Sequence, residues 1–178
     1  MTVVATTGVL AYAALAAGWD LRERRIPNWL SGVALCAALV VAAGGAGVPI
    51  GEALLGAIAG FAVFLLPFSL GVVGGGDVKY VAVIGAWLGW RLGCEAVLLG
   101  TAAGMVVGVA YAAHAGRLRD TLVSTAQLAW LTGAGIAPAV LAPARPDRSA
   151  LAPIPYAVPL SLGVALAVLC EWHGLALL

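Results

Sequence analysis

The sequence predicts an all-α, polytopic membrane protein with about six transmembrane helices plus one interfacial or re-entrant segment. Hydrophobic residues make up 63% of the 178-residue chain, charged residues make up only 10%, and the mean hydropathy is +1.06. A soluble domain is about 25% charged, so most of the surface of this protein does not face water. Because backbone polar groups must be hydrogen-bonded within the protein in lipid, only helices or closed barrels can span a membrane. The apolar runs in this sequence are continuous and do not alternate with polar residues, which favours helices.

Apolar runs of roughly 20 residues are long enough to cross the hydrocarbon core. The first run ends at Asp20, and no basic region precedes it, so we interpret it as a retained span and not as a removed signal peptide. Pro27 is well placed to begin the second span, and a turn is expected at 91–95 between the fourth and fifth spans. The six predicted spans cover residues 2–19, 29–43, 51–73, 80–90, 96–114 and 156–172.

The stretch between the fifth and last spans differs in character from the rest. Residues 117–130 have the pattern of an amphipathic surface helix, whereas residues 131–143 are apolar but short and interrupted by glycine and proline. We favour an interfacial or re-entrant segment over 122–143, with a true crossing as the alternative. The whole chain, residues 1–178, is interpreted as a single membrane-embedded domain.

The distribution of basic residues predicts the orientation of these spans. With six spans and the N-terminus outside, eight of the nine Lys and Arg residues fall on the inner side and only Arg91 falls outside. A crossing by 122–143 would reduce this bias to six against three. We therefore expect a multi-pass protein of the cytoplasmic (inner) membrane, with Asp20 and Asp77 both at the cytoplasmic face.

Glycines recur at every fourth position within several predicted spans, which is typical of helices that approach closely in lipid. These glycines are Gly56 and Gly60, Gly85 and Gly89, and Gly100, Gly104 and Gly108. We interpret them as packing positions without a chemical role. Three glutamates, Glu52, Glu95 and Glu171, are expected to be solvated at the outer boundary.

Two acids mark the candidate functional site, because an acid at the end of a membrane helix is costly there and tends to be functional. Asp20 ends the first apolar run, and Asp77 follows three glycines. The topology brings both to the same membrane face. The residues predicted to bind substrate or to support the two motifs are Pro27 and Asn28 near the first acid, and Gly74, Gly75, Gly76 and Lys79 near the second.

Two carboxylates held close together cannot both ionise easily, so they share a proton and titrate as a unit. The charged partner then takes a proton from water while the neutral partner polarises a carbonyl group. This chemistry needs no metal and no cofactor. The glycines before Asp77 are expected to adopt unusual φ values and to let an extended substrate approach. Lys79 is expected to hold the inner loop near the headgroups or to bias the charge of Asp77.

The motif around Asp20, with Arg24-Arg25-Ile26-Pro27-Asn28 after it, and the motif Gly74-Gly75-Gly76-Asp77-Val78-Lys79 together resemble the type IV prepilin peptidase family of GxGD aspartic proteases. A weaker similarity occurs at 154–159. The resemblance implies cleavage of the basic leader peptide from prepilins at the cytoplasmic membrane face. It also implies Asp20 and Asp77 as the catalytic pair, with Gly74 and Gly76 shaping the second motif. The partners are then a prepilin and the lipid bilayer, with no nucleic acid.

The bifunctional members of that family carry a cytoplasmic domain with paired Cys-x-x-Cys motifs, associated with N-methylation of the new terminus. No Cys-x-x-Cys occurs in this sequence. The chain therefore resembles the short members, such as those of tight-adherence (Flp) pilus systems or the preflagellin peptidases. We expect no methyltransferase activity.

Two alternatives stay open from the sequence. One is a GxGD protease of the presenilin or signal peptide peptidase kind, although the arginine loop beside Asp20 favours cutting near the surface. The other is a small transporter or assembly protein that uses Asp20 and Asp77 as a proton or cation relay. A relay is expected to tolerate Asp→Glu in part, whereas a protease is expected to lose cleavage with either Asp→Asn.

Overall fold

The computed structural model describes residues 2–69, 73–114, 116, 119 and 156–175, and every regular element among them is a helix. The chain divides into two compact units, Met1–Gly104 with Pro155–Leu178, and Met105–Ile154. Within the second unit, the described part continues the fourth helix. The helices are α1 Val3–Glu23, α2 Asn28–Ala43, α3 Ile50–Ser69, α4 Gly75–His114 and α5 Ala157–Trp172.

The all-helical membrane architecture is supported, whereas the count of six spans is not established. Within the described part of the chain, three helices, α1, α3 and α4, are long and apolar enough to cross a membrane, and the apolar helices α2 and α5 have 16 residues each. Many large hydrophobic side chains are exposed, among them Val33, Ile58 and Met105, as expected of surfaces that face lipid. The segment 122–143 lies outside the described residues.

The boundaries of α1 and α2 follow from local chemistry. Thr2 caps α1 because its hydroxyl oxygen accepts the backbone N–H of Ala5 at 3.3 Å. At the other end Arg24 adopts the left-handed conformation (φ 53°), and its N–H bonds to the Asp20 carbonyl at 2.9 Å. Pro27 is extended (φ −61°, ψ 137°) and directly precedes α2, as its fixed φ allows. The short loop thus reverses the chain within a few residues.

The fourth helix breaks at Gly89, where φ is 78° and ψ is 174°. The turn predicted at 91–95 is therefore wrong by a few residues, because those residues are helical and the reversal is made at one glycine. Such backbone angles strongly favour glycine. We call residues 75–88 the first arm of α4 and residues 90–114 its second arm. Residues 80–89 are buried on every side, so the end of the first arm runs through the centre of the bundle.

Glycines allow the helices to approach at backbone distance, as their spacing predicted for α3 and α4. A Cβ atom at Gly56 would overlap the carbonyl oxygen of Gly85, and one at Gly60 would lie 2.7 Å from the Val81 carbonyl oxygen. Likewise a Cβ at Gly100 would lie 2.8 Å from the Leu160 Cα. Gly108 differs, because nothing lies within 4 Å of a Cβ there, and Gly89 breaks the helix.

Buried and partly buried hydroxyl groups connect four helices below the predicted site. The Tyr80 hydroxyl pairs with Ser161 Oγ at 2.8 Å, and Ser161 Oγ donates to the Ala13 carbonyl at 3.0 Å. The hydroxyls of Tyr12 and Ser31 lie 3.2 Å apart, and the Tyr12 and Tyr80 rings stack with centroids 5.4 Å apart. Because a buried hydroxyl without a partner is costly, these bonds fix the register of α1, α4 and α5.

Candidate active site

Four helix ends meet at one end of the bundle, which we call the aspartate end. They are the last turn of α1 and the first turns of α2, α4 and α5. The Ala157 N–H donates to Asp20 Oδ2 at 2.9 Å, which joins α5 to α1. Lys79 Nζ donates to Asn28 Oδ1 at 2.7 Å, which joins α4 to α2. The aspartate end therefore brings together residues from distant parts of the sequence.

Asp20 lies in the last full turn of α1 and is buried, with 8% of its surface exposed. Burying a carboxylate is costly unless a hydrogen-bond donor compensates for the lost water. The backbone N–H of Ala157, the first residue of α5, provides such a donor. The amino end of a helix also carries partial positive charge, so α5 favours an anion at this position.

Asp77 lies in the first turn of α4 and is half-buried. Its Oδ2 atom accepts the N–H of Gly74, the residue just before the helix, at 3.2 Å. An acid that reaches back to the N–H before its own helix forms one half of a capping box. The Asp77 carboxylate is thus oriented locally, whereas the Asp20 carboxylate is oriented by a helix 137 residues further along the chain.

The two carboxylates lie within electrostatic range of each other. The phenol of Tyr156, the residue that precedes α5, lies within the same kind of range of Asp77. When two carboxyl groups are held close enough to share a proton, one member is charged while the other is neutral. Such a pair can take a proton from water with one group and donate a hydrogen bond to a carbonyl with the other.

Of the two roles predicted for the glycine run before Asp77, the adoption of unusual φ values is wrong, whereas the approach of an extended substrate stays a prediction. None of Gly74, Gly75 and Gly76 has a positive φ, so their conformations do not require glycine. A Cβ at Gly75 would lie 3.3 Å from the Phe68 ring, and one at Gly76 would lie 3.6 Å from Ile26. Gly74 is exposed beside the carboxylate of Asp77. Because these glycines have no side chains, the start of α4 can pack close to α3 and to the loop before α2.

Lys79, Pro27 and Asn28 form a structural connection at the edge of the aspartate end. Lys79 and Asn28 are both exposed and bond to each other, and Pro27 sets the direction in which α2 begins. Within the described ranges 2–69, 73–114 and 156–175, no group of three or more His, Cys, Asp or Glu side chains is placed to bind a metal ion.

Tyr156 and Ala157 were not among the predicted site residues, although they contact or face the two acids. The one sequence signal was the weak similarity at 154–159. A backbone N–H donor leaves no trace in residue type, since Ala157 contributes through its main chain. The prediction that Glu95 is solvated is also wrong, because only 4% of its surface is exposed.

Comparisons with known proteins point to one family. The model of the type IV leader peptidase family matches residues 8–109, which include both aspartates. Relatives named prepilin leader peptidase/N-methyltransferase occur in Burkholderia pseudomallei strain 1026b (32% identical over 65% of this chain and 40% of the relative). Others are from Aeromonas salmonicida strain A449 (34%, covering 51% and 33%) and Klebsiella pneumoniae (31%, covering 53% and 45%). The chain thus spans less than half the length of these relatives. No solved structure matches.

Proposed function

Because this chain belongs to the type IV leader peptidase family, we propose that it is a membrane aspartic endopeptidase that uses Asp20 and Asp77 to activate water. The observation that carries the proposal is the approach of the two carboxylates within electrostatic range at one end of the bundle. They come from helices that are distant in sequence, and both are withdrawn from bulk solvent. A pair of solvated boundary acids would not need this burial.

The proposed reaction is the hydrolysis of one peptide bond by general acid–base catalysis. The charged carboxylate takes a proton from water as the water oxygen bonds to the scissile carbonyl carbon, and the neutral carboxyl gives its proton to the carbonyl oxygen. When the carbon–nitrogen bond breaks, the nitrogen takes the first proton and one hydroxyl of the diol returns a proton to the second carboxylate. The exposed Gly74 leaves room for an extended peptide beside Asp77.

The proposed substrate is the leader peptide of a prepilin-like precursor, as the names of the relatives suggest. The proposed location is the cytoplasmic face of the inner membrane. Arg22, Arg24 and Arg25 are exposed beside Asp20, and Lys79 is exposed beside Asp77. Segments on the cytoplasmic side of membrane proteins are enriched in Lys and Arg, so the basic character of the aspartate end supports this orientation.

The test is prepilin cleavage by the purified protein in detergent micelles, with wild type compared with Asp20→Asn and Asp77→Asn. Asparagine keeps the shape of the side chain but cannot accept or supply the proton. We expect each variant to lose at least about 1,000-fold in kcat, because the two groups act as one unit. Thermal unfolding of each variant reports whether the fold is intact.

Glu23→Gln is the matched control, since Glu23 lies three residues from Asp20 but is exposed and bonded to Arg25. We expect this variant to cleave within about twofold of wild type, as for surface substitutions in general. Intact precursor with the wild type would contradict the protease proposal. Loss of proton flux in vesicles with both Asp→Asn variants, without any cleavage by the wild type, would favour the relay instead.

A further inference from the structure

The amino end of α5 contacts Asp20 and lies within electrostatic range of Asp77. The backbone N–H of Ala157 donates to Asp20 Oδ2 at 2.9 Å, and Tyr156 faces Asp77 within electrostatic range. Ala157 is fully buried, so water does not compete for this hydrogen bond. A hydrogen bond from a main-chain N–H to a carboxylate is charge-assisted and stronger than one between neutral groups. The start of α5 is therefore part of the site and not only a wall beside it.

Partly buried hydrogen bonds one turn further along α5 hold this donor in position. The Ser161 hydroxyl donates to the Ala13 carbonyl of α1 at 3.0 Å and pairs with the Tyr80 hydroxyl of α4 at 2.8 Å. Tyr80 lies one turn after Asp77, and Ser161 lies one turn after Ala157. The same three helices that carry the pair and its donor are thus locked together directly below the site.

The hydrogen-bond donors to the two acids differ in burial and in the helix from which they come. The donor to Asp77 is the N–H of Gly74, which is exposed at the start of the same helix. The donor to Asp20 is buried, belongs to another helix and adds the partial positive charge of the α5 amino end. Hydrogen bonding to a charged form favours that form, and the better-shielded donor has the larger effect.

We propose that the Ala157 N–H is a positioning group that orients the Asp20 carboxylate and keeps it the charged member of the pair. Asp20 then takes the proton from water, and Asp77 is the neutral member that donates to the scissile carbonyl oxygen. This assignment rests on the proposed proteolytic function, which by itself leaves the two roles interchangeable. The Ala157 N–H acts through Asp20 and does not touch the substrate.

The first test replaces the Ala157 amide with an ester by incorporating the α-hydroxy analogue of alanine, which removes the N–H and keeps the side chain. We expect kcat for prepilin cleavage to fall about 10-fold or more with KM unchanged, as for a lost bond to a charged group. The matched control is the same exchange at Leu160, whose N–H bonds to the Tyr156 carbonyl at 3.4 Å. It perturbs the same helical turn without touching Asp20, so kcat is expected within about twofold of wild type. Equal kcat values for the two esters, or a change in KM alone, would overturn the proposal.

The second test uses the wild-type protein and does not depend on cleavage of prepilin. An aryloxymethyl epoxide alkylates a carboxylate anion, because the anion attacks the ring carbon and the opened alkoxide takes a proton from the neutral partner. Peptide mass spectrometry of labelled wild type is expected to locate the new ester at Asp20. A label on Asp77, or on neither acid, would overturn the assignment. If prepilin remains uncut but Asp20 is labelled, the proposed substrate is wrong while the charge assignment stands.

Discussion

Both ends of the helical bundle contain acidic side chains, but the surroundings of these side chains differ between the two ends. At the aspartate end, Asp20 and Asp77 each accept a backbone N–H, and the two carboxylates lie within electrostatic range of each other. At the opposite end, a cleft of about 860 Å³ opens between the start of α1, the α2–α3 turn and the break in α4. Its charged lining residues are Glu52, Arg91, Glu95 and Glu171.

This difference shows why acidic character alone does not identify a site in this protein. The open cleft has more acids, yet Arg91 stands among them and Glu171 is exposed. The aspartate end has two acids that converge from separate helices and receive main-chain donors from helix starts. Donors aimed at a carboxylate stabilise its charged form, so this arrangement supports the acid–base chemistry proposed for the aspartate end.

Neutral substitutions of the acids at the two ends are expected to give the largest difference in cleavage activity. Removal of either carboxyl at the aspartate end is expected to abolish cleavage, as argued above. By contrast Glu52→Gln and Glu171→Gln, at the opposite end, are expected to keep kcat within about threefold of wild type, because neither group lies near the pair. Prepilin cleavage under identical conditions is the measurement. A loss of kcat beyond 100-fold from either glutamine variant, on the scale of a lost catalytic group, would place chemistry in the cleft.

Disrupting the packing of α5 against α4 is expected to have the next largest effect. A Cβ at Gly163 would overlap the backbone of Gly100, so Gly163→Ala must push α5 away from α4. We expect a loss of about 3 kcal/mol in the free energy of unfolding in mixed micelles, together with slower cleavage, because α5 carries the donor to Asp20. Gly32→Ala in α2 is the matched control, since no atom lies within 4 Å of its Cβ position. It is expected to stabilise by up to about 1 kcal/mol. Equal stability of the two variants would disprove the close approach.

The buried hydroxyl bonds below the site give a smaller effect. Ser161→Ala leaves the Tyr80 hydroxyl and the Ala13 carbonyl without this partner, and we expect a cost of about 2 kcal/mol in stability. Ser69→Ala removes a hydroxyl of the same kind that bonds locally to the Leu66 carbonyl at the exposed end of α3. Its cost is expected below about 0.5 kcal/mol. Chemical denaturation of both variants is the check, and a cost for Ser161→Ala no larger than the control would show that the bonds do not fix α5.

The smallest effect concerns the connection between α2 and α4. Lys79 and Asn28 are exposed, so a double-mutant cycle of Lys79→Met and Asn28→Ala is expected to give a coupling energy of about 0.5 kcal/mol. We expect kcat to change by less than about threefold, since neither side chain reaches the pair. A rise in KM from Lys79→Met alone, without coupling to Asn28, would instead support the substrate-binding role that the sequence suggested.

Much of the architecture follows from patterns that local chemistry controls. The apolar runs predicted the helices, and the glycine spacing predicted the close contacts of Gly56 and Gly100. The distribution of basic residues led us to expect Asp20 and Asp77 at one membrane face. The catalytic roles of these two acids stay predictions, as do the cytoplasmic orientation and the number of spans.

Other features depend on tertiary contacts that no local pattern contains. The break in α4 falls at Gly89, which belongs to the same glycine series as the packing positions, and only its φ distinguishes it. Glu95 was expected in solvent because of its charge, but the fold buries it. The donor to Asp20 is a main-chain N–H from 137 residues away, so the type of residue at 157 does not reveal it.

The most direct measurement is prepilin cleavage by the protein in liposomes, with wild type, Asp20→Asn, Asp77→Asn and the double variant compared in single-turnover kinetics. If the two acids act as one unit, each single variant loses cleavage and the double variant is no slower than either single one. If either single variant cleaves at the wild-type rate, or if the two losses multiply as for independent groups, the paired-carboxylate account is contradicted.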